Sequence, residues 1–344
     1  METIKPIKIG SKKTSVKEKL TAPEMGKLWA TYMGNSMSSY ILSYFLEHVE
    51  DPDIKKLLQH AKGLTEEFQS NVKDIFTKEN VPIPYGFTQE DVNLGAPKLF
   101  EDEFYVHYLK YAAKAGLSIY SIALPLMYRE DVKTFLTYCM KATMELMEQI
   151  KAILMDKGFI IKPPLIPVPE KVNIANTHYL SGFIGDVRPL HALEIAHLYD
   201  NIENNVTSKA LILAFSQVVK SEKIRALFVK GEDLTNKAVE RYIEKLHRDN
   251  LPAPSFLDHL ITTSTFSPFS DKLMLFHKMD MFSMKMRAFG NSVAVNGRHD
   301  LALLYGKSMT NISKFVKEAA DIMMENGWME TPPEAVDRDH LNSN

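Results

Sequence analysis

The stretch Asn80-Val81-Pro82-Ile83-Pro84 returns 170 residues later as Asn250-Leu251-Pro252-Ala253-Pro254. Working outward, residues 20–84 match residues 190–254 without a gap. Leu20, Ala22, Glu24, Leu28, Asn35 and Ser38 meet Leu190, Ala192, Glu194, Leu198, Asn205 and Ser208. The ends of the halves match at a shift of 169, where Arg129-Glu130-Asp131 meets Arg298-His299-Asp300. Gly158 and Pro163-Pro164 likewise meet Gly327 and Pro332-Pro333. A unit of about 145 residues has the size of a compact domain and is too long for one solenoid repeat. The chain is a duplication, and its two copies can be compared position by position.

Each copy reads as four helices. In the first copy, Met25, Leu28, Trp29, Tyr32, Ser36, Tyr40 and Tyr44 recur at steps of three and four, as do Ile54, Leu57, Ala61, Leu64, Phe68, Val72 and Ile75. A third stripe runs through Tyr105, Tyr108, Ala112, Ala115, Ile119 and Ile122, and a fourth through Val132, Phe135, Cys139, Ala142, Leu146, Ile150 and Ile153. Such stripes face a core. Asp51-Pro52 opens the second helix, and Gly158 with Pro163-Pro164 closes the fourth.

Helices one and two are joined by a few residues near Val49–Pro52. Helices two and three are separated by Tyr85–Asp102, a gap that recurs at Ser255–Ser270. A helix of about 26 residues is about 39 Å long, and about 18 extended residues reach about 60 Å. The connection can therefore cross the full bundle and set helix three parallel to helix two. The expected fold is all-α: two tandem ferritin-like four-helix bundles, each with a long crossover between helices two and three. The expected divisions are a flexible tail (1–18), the first bundle (19–163), a Pro/Gly linker (164–189), the second bundle (190–333) and a polar tail (334–344). Phe183 and Ile184 are expected to pack the linker against a domain.

The formal net charge of −2 gives no electrostatic footprint for nucleic acid. A single cysteine, Cys139, excludes an internal disulfide framework. No apolar run approaches the roughly 18 residues needed to span a bilayer, and the N-terminus has no hydrophobic secretion segment. Synthesis and residence in the cytoplasm are expected, with protein partners or self-association. No phosphate loop, dinucleotide fingerprint or nucleophile elbow is present.

Gly86-Phe87-Thr88-Gln89-Glu90-Asp91-Val92-Asn93, Ala96-Pro97-Lys98-Leu99-Phe100 and Gly182-Phe183-Ile184-Gly185-Asp186-Val187-Arg188-Pro189-Leu190, set in a duplicated bundle, carry a resemblance. They resemble domain-of-unknown-function family 3231 of spore-forming Gram-positive bacteria, from about Leu20 to Pro333. That family is similar to spore coat protein F and belongs to the ferritin-like superfamily. The resemblance implies a non-enzymatic structural or interaction protein with a sporulation or spore-coat association. It brings no established catalytic residue.

A ferritin-like carboxylate centre takes one Glu from each of two helices and a Glu-x-x-His pair from each of the other two. Glu194-Ile195-Ala196-His197 has that spacing, but at the start of its helix. Its counterpart, Glu24-Met25-Gly26-Lys27, lacks the His. The middle of the helices carries Asn35, Asn205, Thr65 and Thr235 in place of paired carboxylates. No cofactor is therefore expected. The alternative is a degenerate site for iron or manganese, or for a small molecule. The crossover topology brings Glu194 and His197 toward His247 and His299, which makes these four the candidate metal ligands.

The recurring Arg129/Asp131 and Arg298/Asp300 pairs read as structural, and Asp102 and Asp271 as caps of helix three. Asn35 and Asn205 with Ser38 and Ser208 are expected to hydrogen-bond across the bundles or to line a small pocket. Tyr105, Tyr108 and Tyr111 read as core or as a bundle-to-bundle surface rather than a base-stacking strip. Trp29, Met33 and Met37 widen the apolar face of helix one, whereas their counterparts Tyr199, Glu203 and Thr207 are more polar. The three are expected at an interface, with the other bundle or with a second copy of the chain.

Overall fold

A computed structural model describes residues 18–160, 162–183, 187–295 and 297–338. The expectations for residues 1–17, for Ile184 and for 339–344 lie outside the described residues. The described chain forms eight long helices. They are α1 (Ala22–His48), α2 (Pro52–Lys78), α3 (Asp102–Ala123), α4 (Glu130–Asp156), α5 (Ala192–Val218), α6 (Glu222–Arg248), α7 (Asp271–Val293) and α8 (His299–Glu325). No helix among these residues is long and apolar enough to cross a membrane.

The helix ends are where the turn chemistry places them. Thr21 and Glu24 form a reciprocal capping box at α1. The Asp51 side chain caps α2, with Pro52 in its first turn. Gly158 and Gly327 follow α4 and α8 at φ of 70° and 67°, a conformation that glycine adopts without a Cβ clash. Most of the stripes read from the sequence are buried: Leu28, Tyr44, Val72, Tyr105, Val132 and Cys139 are inaccessible to solvent, whereas Ile122 is exposed.

Polar contacts at the helix ends fix the topology. Asp102 Oδ2, at the start of α3, accepts from the Glu50 and Asp51 N–H groups at the α1–α2 turn. Glu24 Oε1, at the start of α1, accepts from the N–H groups of Tyr128 and Arg129 at the start of α4. Lys157, after α4, pairs with Asp51 at 2.7 Å. So α2 and α3 run parallel, and the segment between them crosses the full bundle. The second copy repeats this: Asp271 accepts from Lys220 and Ser221, and Glu194 from Arg298. Asp102 and Asp271 thus tie helix three to the preceding helical turn and do not cap their own helix. The caps are Glu101, without a side-chain bond, and Ser270, which accepts from Leu273.

The two bundles pack through their crossovers and through α3, α5, α7 and α1. The Asn93 N–H donates to Pro268 O (2.8 Å), and the Thr262 N–H donates to Leu99 O (3.0 Å). The Ser270 N–H donates to Asp91 O, and the Glu101 N–H to Leu260 O, both at 2.9 Å. Antiparallel bridges join Val92 to Phe269 and Phe100 to Ile261. Under the shift of 169, each contact converts into its counterpart: Val92–Phe269 into Ile261–Phe100, and Asn93–Pro268 into Thr262–Leu99. This reciprocity is the signature of an isologous interface, written here within one chain. At its centre Tyr108 Oη lies 2.8 Å from Nε2 of His277, its own equivalent.

The linker departs from expectation. Phe183 is exposed, while the contacts to the second bundle come from its neighbours. The His299 N–H donates to Leu180 O at 3.0 Å. Tyr179 stacks on His191 and lies beneath the Arg188 guanidinium.

Candidate functional site

The first candidate is the bundle end that holds Glu194, His197, His247 and His299. Glu194 is N3 of α5 and is buried. Its carboxylate accepts a bidentate pair from Arg188 at 2.8 and 2.9 Å. It also accepts from the N–H groups of Arg298 (2.7 Å) and His191 (3.0 Å). Burial by itself would raise this carboxyl; the Arg188 guanidinium and these N–H donors outweigh it and hold it below its ordinary range. Gly297 is part of the fit, because a Cβ there would come within 2.7 Å of Glu194 Oε1. His197 is half-buried, with Nδ1 3.4 Å from Ser292 Oγ, whereas His247 and His299 are exposed. The carboxylate is engaged by the chain's own donors. Among the described residues no three His, Cys, Asp or Glu side chains gather to hold a metal ion.

The first copy builds the same end with fewer charges. Glu24 accepts from Thr21 and from the N–H groups of Tyr128 and Arg129. Arg129 then forks onto Asp131 at 2.8 and 2.7 Å, as Arg298 does onto Asp300 at 3.1 and 3.0 Å. Arg129 reaches Glu79, whereas Asp300 reaches Lys245. Each cluster clamps the starts of helices one and four together, so both recurring pairs are structural.

The second candidate lies inside the bundles. In the second bundle, Lys278 and Lys285 of α7 are inaccessible to solvent and lie on either side of the Phe282 ring. Lys278 Nζ donates to Ser208 O (3.0 Å) and Oγ (2.7 Å), so Ser208 does bond across its bundle. Lys285 Nζ has Thr235 Oγ1 at 3.4 Å. Burial drives both amines well below the ordinary lysine range. Sequence reading missed them because lysines on an amphipathic helix ordinarily face water. The signal was the alignment: Lys278 stands against Leu109, and Lys285 against Gly116, on a core-facing stripe.

In the first bundle Ala113 and Gly116 stand where the second has Phe282 and Lys285, and a cavity of about 140 Å³ opens there. Asn35 and Ser38 line it. Asn35 bonds within its own helix, to Thr31 O at 2.7 Å, as Asn205 does to Asn201 O. A second cavity of about 160 Å³ in the other bundle is lined by Asn205 and Thr235, with Lys237, Arg241 and Lys307 around it.

Of the three α1 residues expected at an interface, Met37 is the one placed beside residues of the second bundle. Met33 and Met37 are buried, and Met37 lines the first cavity together with His277 and Met281 of α7. Trp29 is half-buried against the core. Across the pseudo-dyad, Glu203 pairs with Lys110 at 2.6 Å, and Lys114 bonds Asn204 and Asp200. Tyr111 donates to Met281 O at 2.7 Å, so the tyrosines serve core and interface.

Among solved structures, a candidate spore coat protein from Bacillus halodurans aligns with 44% of this chain and 98% of its own, at 20% identity and a TM-score of 0.40. None of the curated proteins matches the chain. A family model described as protein of unknown function DUF3231 matches residues 9–172 and again 179–341. The chain therefore belongs to the DUF3231 family, and carries two copies of its unit.

Proposed function

We propose that this protein acts as a non-enzymatic structural or interaction protein: a rigid pair of bundles rather than a metal-dependent oxidase. The observation that carries the reading is the identity of the side chains inside the bundles. A ferritin-like centre puts carboxylates and imidazoles there. Here the second bundle holds two buried lysines, and the first holds Ala112, Ala113 and Gly116; the single imidazole and single carboxyl that also line the first cavity, His277 and Asp280, are too few for such a centre. Amines disfavour a cation, and alanine and glycine offer it no ligand. Of the two Glu-x-x-His pairs, Glu194–His197 spends its carboxylate on Arg188 and the starts of two helices, and Glu244–His247 is exposed near the end of α6, with Glu244 paired to Arg248.

The sporulation setting is what the motif resemblance implies. Protein partners, or a second copy of the chain, would dock on the outer faces, since the inner faces of α1, α3, α5 and α7 are used between the bundles. Two experiments test the reading. Incubation of the full chain with Fe(II) in air should give no oxidation above the buffer rate; saturable Fe(II) oxidation would overturn it. A tagged copy followed through growth and sporulation should collect on the forming spore. Uniform signal in growing cells with none in spores would contradict the spore association.

A further inference from the structure

A cavity lies between Thr31 of α1, Phe68 of α2, Gly116 of α3, Thr143 of α4 and His277 of α7. Its volume, about 140 Å³, is close to the roughly 150 Å³ of an engineered apolar cavity that takes up benzene. Its walls are mostly apolar, with Leu64, Phe68, Ala112 and Ile119 among them. Two buried polar atoms on the lining residues have no hydrogen-bond partner: Thr31 Oγ1 and His277 Nδ1. Both residues are at least nine-tenths buried, at 4% and 3% exposure. The other ring nitrogen of His277 is engaged by Tyr108. An orphaned buried polar group is costly, and a ligand that pairs with it recovers that cost.

The charge state of the wall selects a neutral ligand. Burial, with the nearby Lys278, pushes the His277 imidazole down to about 3, so it is uncharged near neutrality. Burial also raises the Asp280 carboxyl that lines the cavity, against the opposing pull of Arg287. An anion would be desolvated there with no Lys or Arg on the lining to meet it, and a carboxyl held toward its neutral form is a poor partner for a cation.

We propose that this cavity is a binding site for a small, neutral, single-ring molecule bearing one hydroxyl, the hydroxyl pairing with Thr31 Oγ1. The site draws on both copies, because α7 of the second bundle closes a cavity in the first. It goes beyond the scaffold reading and does not depend on it.

Phenol and benzene serve as probes for calorimetric titration of the full chain. One phenol per chain is expected, bound at least about fivefold more tightly than benzene. Thr31→Val, which removes the hydroxyl and keeps the shape, should weaken phenol about five- to tenfold and leave benzene unchanged. Gly116→Leu should abolish binding of both. The fold accepts a long side chain at that level, since Lys285 occupies the equivalent position. Absence of saturable phenol binding to the folded chain would overturn the proposal. So would benzene binding as tightly as phenol, or binding retained in folded Gly116→Leu. If Gly116→Leu does not fold, Thr31→Val decides: unchanged phenol affinity there overturns the assignment.

Discussion

The two bundles share a backbone plan and differ in what fills them. At one level of helix three the first bundle carries Leu109, Ala113 and Gly116, and the second carries Lys278, Phe282 and Lys285. The first leaves a cavity of about 140 Å³ at that level with apolar walls; the second sets one aromatic ring and two amines there and keeps a cavity of about 160 Å³ beside Asn205, Thr235 and Phe282. Helix packing tolerates both, because total volume and apolar patterning are what a core demands first. The conserved plan sits at the bundle ends instead, where Glu24 and Glu194 each clamp the start of helix four. Duplication has kept the clamps and released the interiors.

The largest expected contrast is at those clamps. Glu194→Ala strands the Arg188 guanidinium and two backbone N–H groups, and should cost about 3–5 kcal/mol of unfolding free energy. Glu24→Ala strands no guanidinium and should cost less, about 2 kcal/mol. Denaturant unfolding of both variants checks the order; equal losses would mean that Arg188 adds nothing to the second clamp.

The next contrast uses the aligned pair Ala61 and Gly231. A Cβ on Gly231 would lie 2.5 Å from Phe315 Cε2 and 2.7 Å from Ile212 Cδ1. Gly231→Ala should therefore destabilise by about 1–3 kcal/mol through overpacking, although alanine favours the helix. Ala61→Gly should cost about 1 kcal/mol from propensity alone. Thermal unfolding of the two variants measures the difference, and stabilisation by Gly231→Ala would show that the second interior is looser than described.

Lys285→Met should stabilise the chain by about 1–2 kcal/mol, since it replaces a buried amine held by a long hydrogen bond to Thr235 Oγ1 (3.4 Å) and the face of Phe282. A loss of stability would show that the amine has a partner the fold depends on.

The smallest effect is a slope. Both lysines have folded-state pKa values below their unfolded ones, so the unfolded chain binds more protons. Their contribution to stability therefore rises with pH toward the unfolded value and falls as pH is lowered. Unfolding free energy followed from pH 7 to 10, a window taken from the ordinary lysine range, should carry this upward term, and Lys285→Met should flatten it. On the acid side, His277 is depressed to about 3, so its stabilising contribution is lost as pH falls from about 6.5 toward that value.

Much of the architecture was legible in the sequence because it is written in short-range chemistry. Asp51-Pro52, Gly158 and the three-four spacing of apolar residues mark helices whose ends are local events. The crossover followed from the lengths of helix and gap. The reciprocal pairing of the crossovers was not legible, because it joins residues about 170 apart through backbone groups that leave no side-chain signature. Asp102 and Asp271 sit where caps sit, and only the folded chain shows that they reach back to the preceding turn. The buried lysines were hidden by their residue type, and only comparison with Leu109 and Gly116 exposes them. The Glu194–His197 spacing sets two residues one turn apart on α5. What spacing could not show is that Arg188, from the linker, takes the carboxylate.

The central claim is that neither bundle interior nor the Glu194 end is built for a metal. The most direct measurement is the metal content of the full chain, purified without chelator from cells grown with added iron and manganese. The result expected is far less than one equivalent of either metal per chain after gel filtration. One or more equivalents retained on the folded protein, and lost on Glu194→Gln or His197→Ala, would contradict the claim.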